Sequence, residues 1–241
     1  MSMSLAIVCP SMGGHEDAVE TWQDTISKPW PVRILAETEG DGAGFLTKCD
    51  KGWRETDAKV VGFLHSDLLV HEFNWDERVL AEFTKPEVAV VGFVGATRLA
   101  HEDIYKIPYD YRQLARADVW SNLTDWQNHG QRETTSRQVA VVDSCAVFVR
   151  RELLRRVGGW PVARYPNSSH CSDLWICCMA HRLGLRVRMV GVSCTHRSGG
   201  KGDAGVRWLN DRFGRDGDST AHRQAHELIY SDMQDVLPIR I

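Results

Sequence analysis

The alternation of short apolar runs with amphipathic segments over residues 4–94 constrains the fold more than any other feature of the chain. Each apolar run has the length of a buried strand, and each segment between repeats its large apolar residues at helical spacing. The predicted strands are Ser4–Pro10, Pro31–Ala36, Lys59–Leu64 and Glu87–Val94, and the predicted helices are Glu16–Ile26, Phe45–Thr56 and Trp75–Phe83. Such alternation favours right-handed crossovers and a parallel sheet that is covered on both faces. The sequence therefore predicts an α/β protein with a mainly parallel central sheet.

The remainder of the chain is less regular. Residues 98–137 are polar and aromatic without a clear period, which predicts a long functional loop or insertion. Beyond them, strands are predicted at Gln138–Val149 and Leu185–Val192, and helices at Arg151–Val157, Asp173–Leu183, Val206–Phe213 and Ala221–Val236. We therefore predict one α/β domain over residues 1–198, with a helical C-terminal extension over residues 199–241 packed on it.

The composition limits the class of protein and its compartment. Hydrophobic residues make up 43% of the 241 residues and charged residues 25%, as in soluble globular proteins. No stretch approaches the roughly 18 consecutive apolar residues of a membrane-spanning helix. The N-terminus lacks the basic start of a signal peptide. Seven cysteines without regular spacing argue against a disulfide framework, so a cytoplasmic location is expected.

Charge is distributed unevenly along the chain. Residues 1–149 hold 14 Lys and Arg against 23 Asp and Glu, whereas residues 150–223 hold 14 against 6. A basic stretch in an otherwise acidic chain has two interpretations, which are a face that handles an anion and a solvated Arg-rich surface.

Polar residues follow several of the predicted strands. In open α/β sheets, ligands bind at the carboxyl ends of the strands. Those ends carry Pro10 and Ser11, then Glu37, then His65, Ser66 and Asp67, and finally His196 and Arg197. Imidazole and carboxylate side chains suit a divalent metal that holds a phosphate. The sequence thus predicts that acidic, imidazole and basic groups converge on one rim of the sheet.

Four segments, in this order and spacing, resemble the family 2 glycosyltransferases. They are the opening strand with VCPS, then KVVGFLHSDLLV, then VDSCAVFVRRELLRRVGGW, and finally SDLWICCMAHRLGLRVRMVGVSCTHRSGG. Together they cover about residues 4–198. That family has the GT-A fold, a nucleotide-binding α/β sandwich, so the resemblance implies this fold and sugar transfer from a nucleotide-diphosphate sugar.

The resemblance also implies a metal site. Asp67 matches the second acid of the family's Asp-x-Asp segment, which binds a divalent metal, and His65 stands where the first acid is usual. His65 is expected either to bind the donor or the metal, or to shape the turn. His196 matches the family's C-terminal His, which completes the metal and diphosphate site. The alternatives are a turn-capping Asp and a surface His at a strand end.

The catalytic base is implied by the same resemblance. The family's catalytic helix has a Gly eleven residues after its first Asp, and Gly184 lies eleven residues after Asp173. An inverting transfer needs a carboxylate that removes the acceptor proton. Asp173 could instead be a helix N-cap with no catalytic role. Asp143 is the other acid that could reach the rim.

The nucleotide is expected to contact the ends of the first two strands. Ser11 and Glu37 lie where the family contacts base and ribose, and Asp41 competes with Glu37 for that role. Pro10, His65, Ser66 and Arg197 are counted with these donor-binding residues.

The predicted activity is metal-dependent, inverting transfer of a hexose from a nucleotide-diphosphate sugar to an acceptor hydroxyl. Mn²⁺ or Mg²⁺ is the expected cofactor, and a UDP-sugar is favoured by its frequency in the family. The acceptor is expected to be a glycan or small molecule. The basic stretch, with Trp160, Trp175 and Trp208, also permits DNA with hydroxymethylated bases, read through phosphate contacts and an extruded base.

Three other interpretations were weighed. A non-catalytic module that binds nucleotide sugars or polyanions would suit the incomplete acidic motif. A nucleotidyltransferase would normally carry a basic residue in the loop after the first strand, and Ser11–His15 carries none. A structural zinc site would need close Cys or His pairs such as C-x₂-C, and the sequence has no such Cys pair.

Overall fold

The computed structural model describes residues 3–36, 44–106, 108, 110–124, 130–166, 170–197 and 202–241. The strands are β1 Leu5–Ser11, β2 Val32–Ala36, β3 Val60–Leu64, β4 Leu68–Val70, β5 Val88–Gly92, β6 Val94–Leu99, β7 Arg116–Ser121, β8 Gln131–Arg132, β9 Ser136–Val139, β10 Val141–Val142, β11 Ala146–Arg150, β12 Arg186–Val190, β13 Cys194–His196 and β14 Ile239–Arg240. The α-helices are α1 Glu16–Thr25, α2 Phe45–Arg54, α3 Trp75–Glu82, α4 Arg151–Val157, α5 Ser172–Arg182, α6 Gly202–Phe213 and α7 Gly217–Asp232. A short 3₁₀ helix spans Tyr111–Leu114.

The central sheet has seven strands in the order β2-β1-β3-β11-β5-β12-β9. Strands β1, β2, β3, β5 and β12 point the same way, whereas β11 and β9 run antiparallel to their neighbours. Every residue of β1, β3 and β5 is buried, as expected for strands covered on both faces. The fold is therefore α/β with a mainly parallel central sheet, as predicted.

Helices cover the two faces of this sheet, and the alternation of side chains along β1 sorts its residues between two cores. Leu5 and Ile7 pack with Trp22 of α1 and Trp75 of α3. Val8 lies on the opposite face, in a core to which α2, α4, α5 and α7 contribute.

Two smaller sheets flank the central one. One has the order β10-β6-β7-β8, with β14 paired to β6, and the other is the two-stranded β13-β4 sheet. The C-terminal strand β14 thus joins residues 239–240 to the sheet that begins directly after β5.

Three predicted strands proved to be composite. Glu87–Val94 divides at Phe93 into β5 and β6, and Gln138–Val149 divides into β9, β10 and β11. The chain changes sheet at each break, so a continuous apolar run conceals several short strands. Residues 98–137 were wrongly predicted to be irregular, because they include the end of β6, the 3₁₀ helix, β7, β8 and the start of β9. The β7 strand has the burial pattern of a partly exposed strand, which leaves no apolar run to recognise.

Other boundaries shifted slightly. The first strand ends at Ser11 rather than Pro10, since β1 pairs only with β2 at that position and a missing N–H is tolerated there. The two C-terminal helices begin earlier than predicted, and the second ends earlier, at Asp232. Among the described parts of the chain, no helix is both long enough and apolar enough to cross a membrane.

Candidate functional site

The end of β1 is a closed, hydrogen-bonded turn. The Gly13 N–H donates to Ser11 Oγ over 2.9 Å, and the same hydroxyl lies 3.1 Å from His15 Nδ1. Lys48 of α2 is buried and donates from Nζ to the Ser11 carbonyl over 2.9 Å. The structure therefore brings Pro10 and Ser11 to the rim of the sheet, with the polar atoms of Ser11 already engaged in the turn.

A tight turn follows β3 and holds the next predicted residues. The main-chain N–H of His65 donates to the Cys145 carbonyl over 3.0 Å, and its carbonyl accepts from the Leu68 N–H over 3.1 Å. From α1, the Trp22 Nε1–H donates to the Leu68 carbonyl over 2.7 Å. Ser66 and Asp67 lie within this turn, which is therefore fixed on both sides.

Strand register then places the C-terminal His beside this turn. β13 runs antiparallel to β4 with His196 opposite Leu68, and the Arg197 N–H donates to the Asp67 carbonyl over 3.0 Å. As a result His196 Nε2 lies 3.2 Å from Asp67 Oδ1. The ring of His65 lies 5.5 Å from that of His196. Two histidines and one aspartate, separated by up to 131 residues in sequence, thus meet at one point.

Asp67 is partly open to solvent and remains ionised. Its side chain and that of His196 are each 18% exposed. Burial alone would raise the pKa of Asp67, but the hydrogen bond from His196 and the positive charge available on His196 and His65 lower it below its usual value. The turn therefore presents a carboxylate to solvent between two imidazoles.

This cluster fits a divalent cation. Ligand atoms of His65, Asp67 and His196 all lie within 4.8 Å of one another, and no other such group of three occurs among the residues that the structure describes. Two imidazole nitrogens and a carboxylate oxygen suit Mn²⁺ and related borderline cations. The donor set matches the predicted metal ligands Asp67 and His196 and adds His65 to them.

Asp173 lies in the first turn of α5. Its Oδ1 accepts from the Leu174 N–H over 2.8 Å, and its Oδ2 accepts from the Ser144 N–H over 3.1 Å. Cys171, with φ of 60°, occupies the N-cap position of this helix. Asp173 is therefore not the N-cap, and its carboxylate is aimed at the turn between β10 and β11.

Two further charged residues surround Asp173. Arg116 of β7 places Nη1 2.8 Å from Asp143 Oδ2 and 3.6 Å from Asp173 Oδ2. Burial and the neighbouring Asp143 raise the pKa of Asp173 to about 6, although Arg116 acts in the opposite direction. Burial would raise the pKa of Asp143 also, but Arg116 and the Cys145 N–H hold it well below its usual range. Sequence reasoning named Asp143 only as the alternative base and missed Arg116, which lies in the segment predicted to be irregular.

A cavity of about 360 Å³ opens over Asp173. Its lining combines a charged pair, three imidazoles and several apolar groups, from Leu114, Ala115, Arg116, Ser144, His170, Cys171, Asp173, Leu174, His222 and His226. His222 and His226 come from α7, so the C-terminal helix forms one wall. The histidines are a second group that sequence reasoning missed, and their i, i+4 spacing on α7 was the signal available.

The turn of residues 143–145 connects the two centres. The Ser144 N–H donates to Asp173, while the carbonyl of the next residue, Cys145, accepts from the main chain of His65. The buried carboxylate and the histidine–aspartate cluster therefore lie at the same edge of the sheet, on opposite sides of one turn.

The remaining predicted residues have mixed positions. Glu37 and Asp41 lie outside the described residues. The Arg197 guanidinium is exposed and pairs with Asp17 of α1 over 3.1 Å. Arg150, considered for the acceptor side, pairs in register with Val60 at the start of β3, so it lies at the opposite edge of the sheet.

The aromatic residues expected near a polyanion lie in the core instead. Trp160 and Trp175 are buried against one another with ring centroids 5.9 Å apart, so neither is available to stack on a base. All seven cysteines are buried free thiols.

Comparison with known proteins defines the fold class. No protein-family model and no curated protein sequence matches the chain. Among solved structures, GalNAc-T7 with UDP, GalNAc and Mn²⁺ aligns with a TM-score of 0.56 and 10% identity, over 81% of this chain and 44% of that one. Mannosyltransferase PcManGT from Pyrobaculum calidifontis, in complex with GDP-Man and Mn²⁺, aligns with a TM-score of 0.52 and 14% identity, over 84% and 59%.

These likenesses establish a GT-A-like fold for the chain. The chain spans about half the length of each of the two proteins, and at these identities the likeness concerns the fold alone.

Proposed function

We propose that the chain is a metal-dependent glycosyltransferase of the family 2 kind, which transfers a hexose with inversion from a nucleotide-diphosphate sugar. The observation that carries the proposal is the pair of centres at one sheet edge, an open His65–Asp67–His196 cluster and a buried Asp173, joined by the turn of residues 143–145. Transfer needs both, because one centre must hold an anionic leaving group while the other takes a proton from the acceptor.

On the donor side, His65, Asp67 and His196 would hold Mn²⁺ or Mg²⁺. A bound divalent cation neutralises the charge that develops on a departing diphosphate. Ser11 and Pro10 at the end of β1, with Ser66 in the turn, border the same rim, which suits contacts to the nucleotide. UDP is the favoured nucleotide, and Glu37, Asp41 and Arg197 remain proposed contacts to the donor. The GDP-Man and UDP bound by the two similar structures are consistent with a nucleotide-sugar donor.

On the acceptor side, Asp173 would be the general base. With a pKa near 6 it is mostly ionised at neutral pH, yet it binds a proton more readily than an ordinary aspartate does. It would take the proton from the acceptor hydroxyl as that oxygen attacks the anomeric carbon from the side opposite the diphosphate. The 360 Å³ cavity above it is of the size that small ligands occupy.

The cavity favours a glycan or small-molecule acceptor over DNA. Arg116 is paired with two carboxylates, and His170 lies 2.6 Å from Asp218, so the wall offers little net positive charge to a phosphate backbone. We therefore assign the helical extension of residues 199–241 to the acceptor side, because α7 supplies His222 and His226.

A panel of nucleotide sugars tests the proposal. Release of nucleoside diphosphate is measured for each donor with Mn²⁺ and again after chelation. We expect one donor to be hydrolysed slowly without acceptor, only when metal is present. Binding of donor without any release, with or without an acceptor panel, would instead support a non-catalytic nucleotide-sugar module.

A further inference from the structure

Arg116 lies between two acids at the floor of the cavity. Its Nη1 is 2.8 Å from Asp143 Oδ2 and 3.6 Å from Asp173 Oδ2, so one guanidinium group serves both carboxylates. Asp143 is fixed from its other side, because its Oδ1 accepts from the Cys145 N–H over 3.0 Å. The Asp173 carboxylate receives the Ser144 N–H from the same turn.

We propose that Arg116 and Asp143 form a brace that positions Asp173 and sets the pH at which it can accept a proton. The brace is geometric first: β7 supplies the cation, and the β10–β11 turn supplies both the counter-anion and an N–H donor to Asp173. Neither Arg116 nor Asp143 needs to touch substrate for this role, so both are positioning residues. The effect on sugar transfer rests on the proposed function, whereas the effect on Asp173 itself does not.

Asp143 is a poor candidate for the base, and this separates the two acids. It holds the shorter contact with Arg116 and is 26% exposed at its side chain, against 7% for Asp173. A carboxylate held by a guanidinium and a backbone N–H binds protons weakly. In paired acids, the one whose environment makes it more basic takes the proton.

Other titratable groups also face Asp173, and they must be separated from the brace. They are Arg116, Asp143, His170, Cys171, His222 and His226. Burial raises the pKa of the Cys171 thiol, which therefore stays neutral across the range of interest. The three histidines are present in every variant below, so their titration cannot produce shifts of opposite sign.

The brace predicts opposite shifts for its two members. Replacing Arg116 by Gln removes a cation and leaves Asp143 facing Asp173, so Asp173 should bind its proton more tightly. Asp143→Asn removes the anion and leaves Arg116 to Asp173 alone, so Asp173 should release its proton more readily. Opposite charges within about 4–6 Å typically shift a carboxyl by one to three pH units.

The direct test is NMR titration of the protein labelled at the aspartate carboxyl carbon, with the Asp173 signal identified by its loss in Asp173→Asn. We expect the midpoint to rise by about one pH unit or more in Arg116→Gln and to fall in Asp143→Asn. Arg116→Lys, which keeps the charge, should restore most of the wild-type midpoint. Arg164→Gln breaks an exposed pair with Asp232 and is the matched control, with no shift expected. Circular dichroism verifies that each variant is folded.

Shifts in the same direction for both charge-removing variants, or no shift in either, would overturn the brace. The rate of transfer gives a second readout: the acidic limb of its pH profile should move with the NMR midpoint, which changes the rate about tenfold per pH unit well below the midpoint. Opposite NMR shifts in a protein that transfers no sugar would leave the brace intact and refute the proposed function.

Discussion

Asp67 and Asp173 lie at the same edge of one sheet, yet their surroundings are opposite in kind. Asp67 is partly exposed in a turn, between two imidazoles that favour its ionised form. Asp173 is buried at the start of α5, where burial and Asp143 favour the protonated form. The same side chain is therefore prepared to hold a cation in one place and to accept a proton in the other.

The supporting structure differs in a corresponding way. Asp67 is fixed by backbone pairing, through the register of β13 on β4 and the turn that ends β3. Asp173 depends on side-chain charges that come from a different sheet, since Arg116 belongs to β7. Loss of a neighbour should therefore change the properties of Asp173 more than those of Asp67.

The largest expected effect comes from removing the proton acceptor. Asp173→Asn should lower sugar transfer by about 10²–10⁴-fold, the usual contribution of a general base. Donor affinity and Mn²⁺ affinity should stay within a few-fold of wild type, because the base acts mainly in the transition state. Steady-state transfer rates and donor titrations on the one variant measure both quantities.

Asp143→Asn is the companion variant for that measurement. It should retain transfer at neutral pH, since Asp143 supports the base without being it. Near-normal transfer by Asp173→Asn, with a large loss in Asp143→Asn, would exchange the roles of the two acids.

The next effect concerns the open centre. Asp67→Ala should weaken Mn²⁺ binding by at least tenfold, as is usual when a site loses a ligand or its partner. His71→Ala is the matched control, because His71 lies at the far end of the same β4–β13 pair and contacts Thr195 rather than the cluster. Electron paramagnetic resonance of free Mn²⁺ gives both affinities. Equal affinity in the two variants would remove Asp67 from the site.

The sequence was more informative about the open centre than about the buried one. Asp67 and His196 could be predicted because each follows a strand with an apolar run, and strand ends of an α/β sheet meet at one edge. Arg116 could not be found this way, since β7 is half-exposed and its partner Asp143 lies 27 residues away on a turn inside a composite run. Pairing between strands of different sheets depends on long-range packing, which residue periodicity does not encode.

The smallest expected effect is on stability. The pKa of Asp173 is raised on folding, so its stabilising contribution is present at low pH and is lost as the pH rises from about 4 through about 6. Asp173→Asn cannot ionise, so it should melt at or a few degrees above the wild-type temperature at pH 8, with the difference shrinking towards pH 4. Thermal melts across this range measure it. A variant that melts far below wild type at pH 8 would mean that the ionised carboxylate stabilises the fold.

The most direct test of the central claim is the coupling between Mn²⁺ and a nucleoside diphosphate. If the His65–Asp67–His196 cluster holds a cation that in turn holds the donor's diphosphate, each ligand must raise the affinity for the other by the same factor. Calorimetric titration of UDP with and without Mn²⁺, and of Mn²⁺ with and without UDP, measures both factors in the wild-type protein after correction for Mn²⁺–UDP association in solution. We predict equal and large enhancements, at least tenfold in each direction. Independent binding of the two ligands, or binding of neither, would contradict the account.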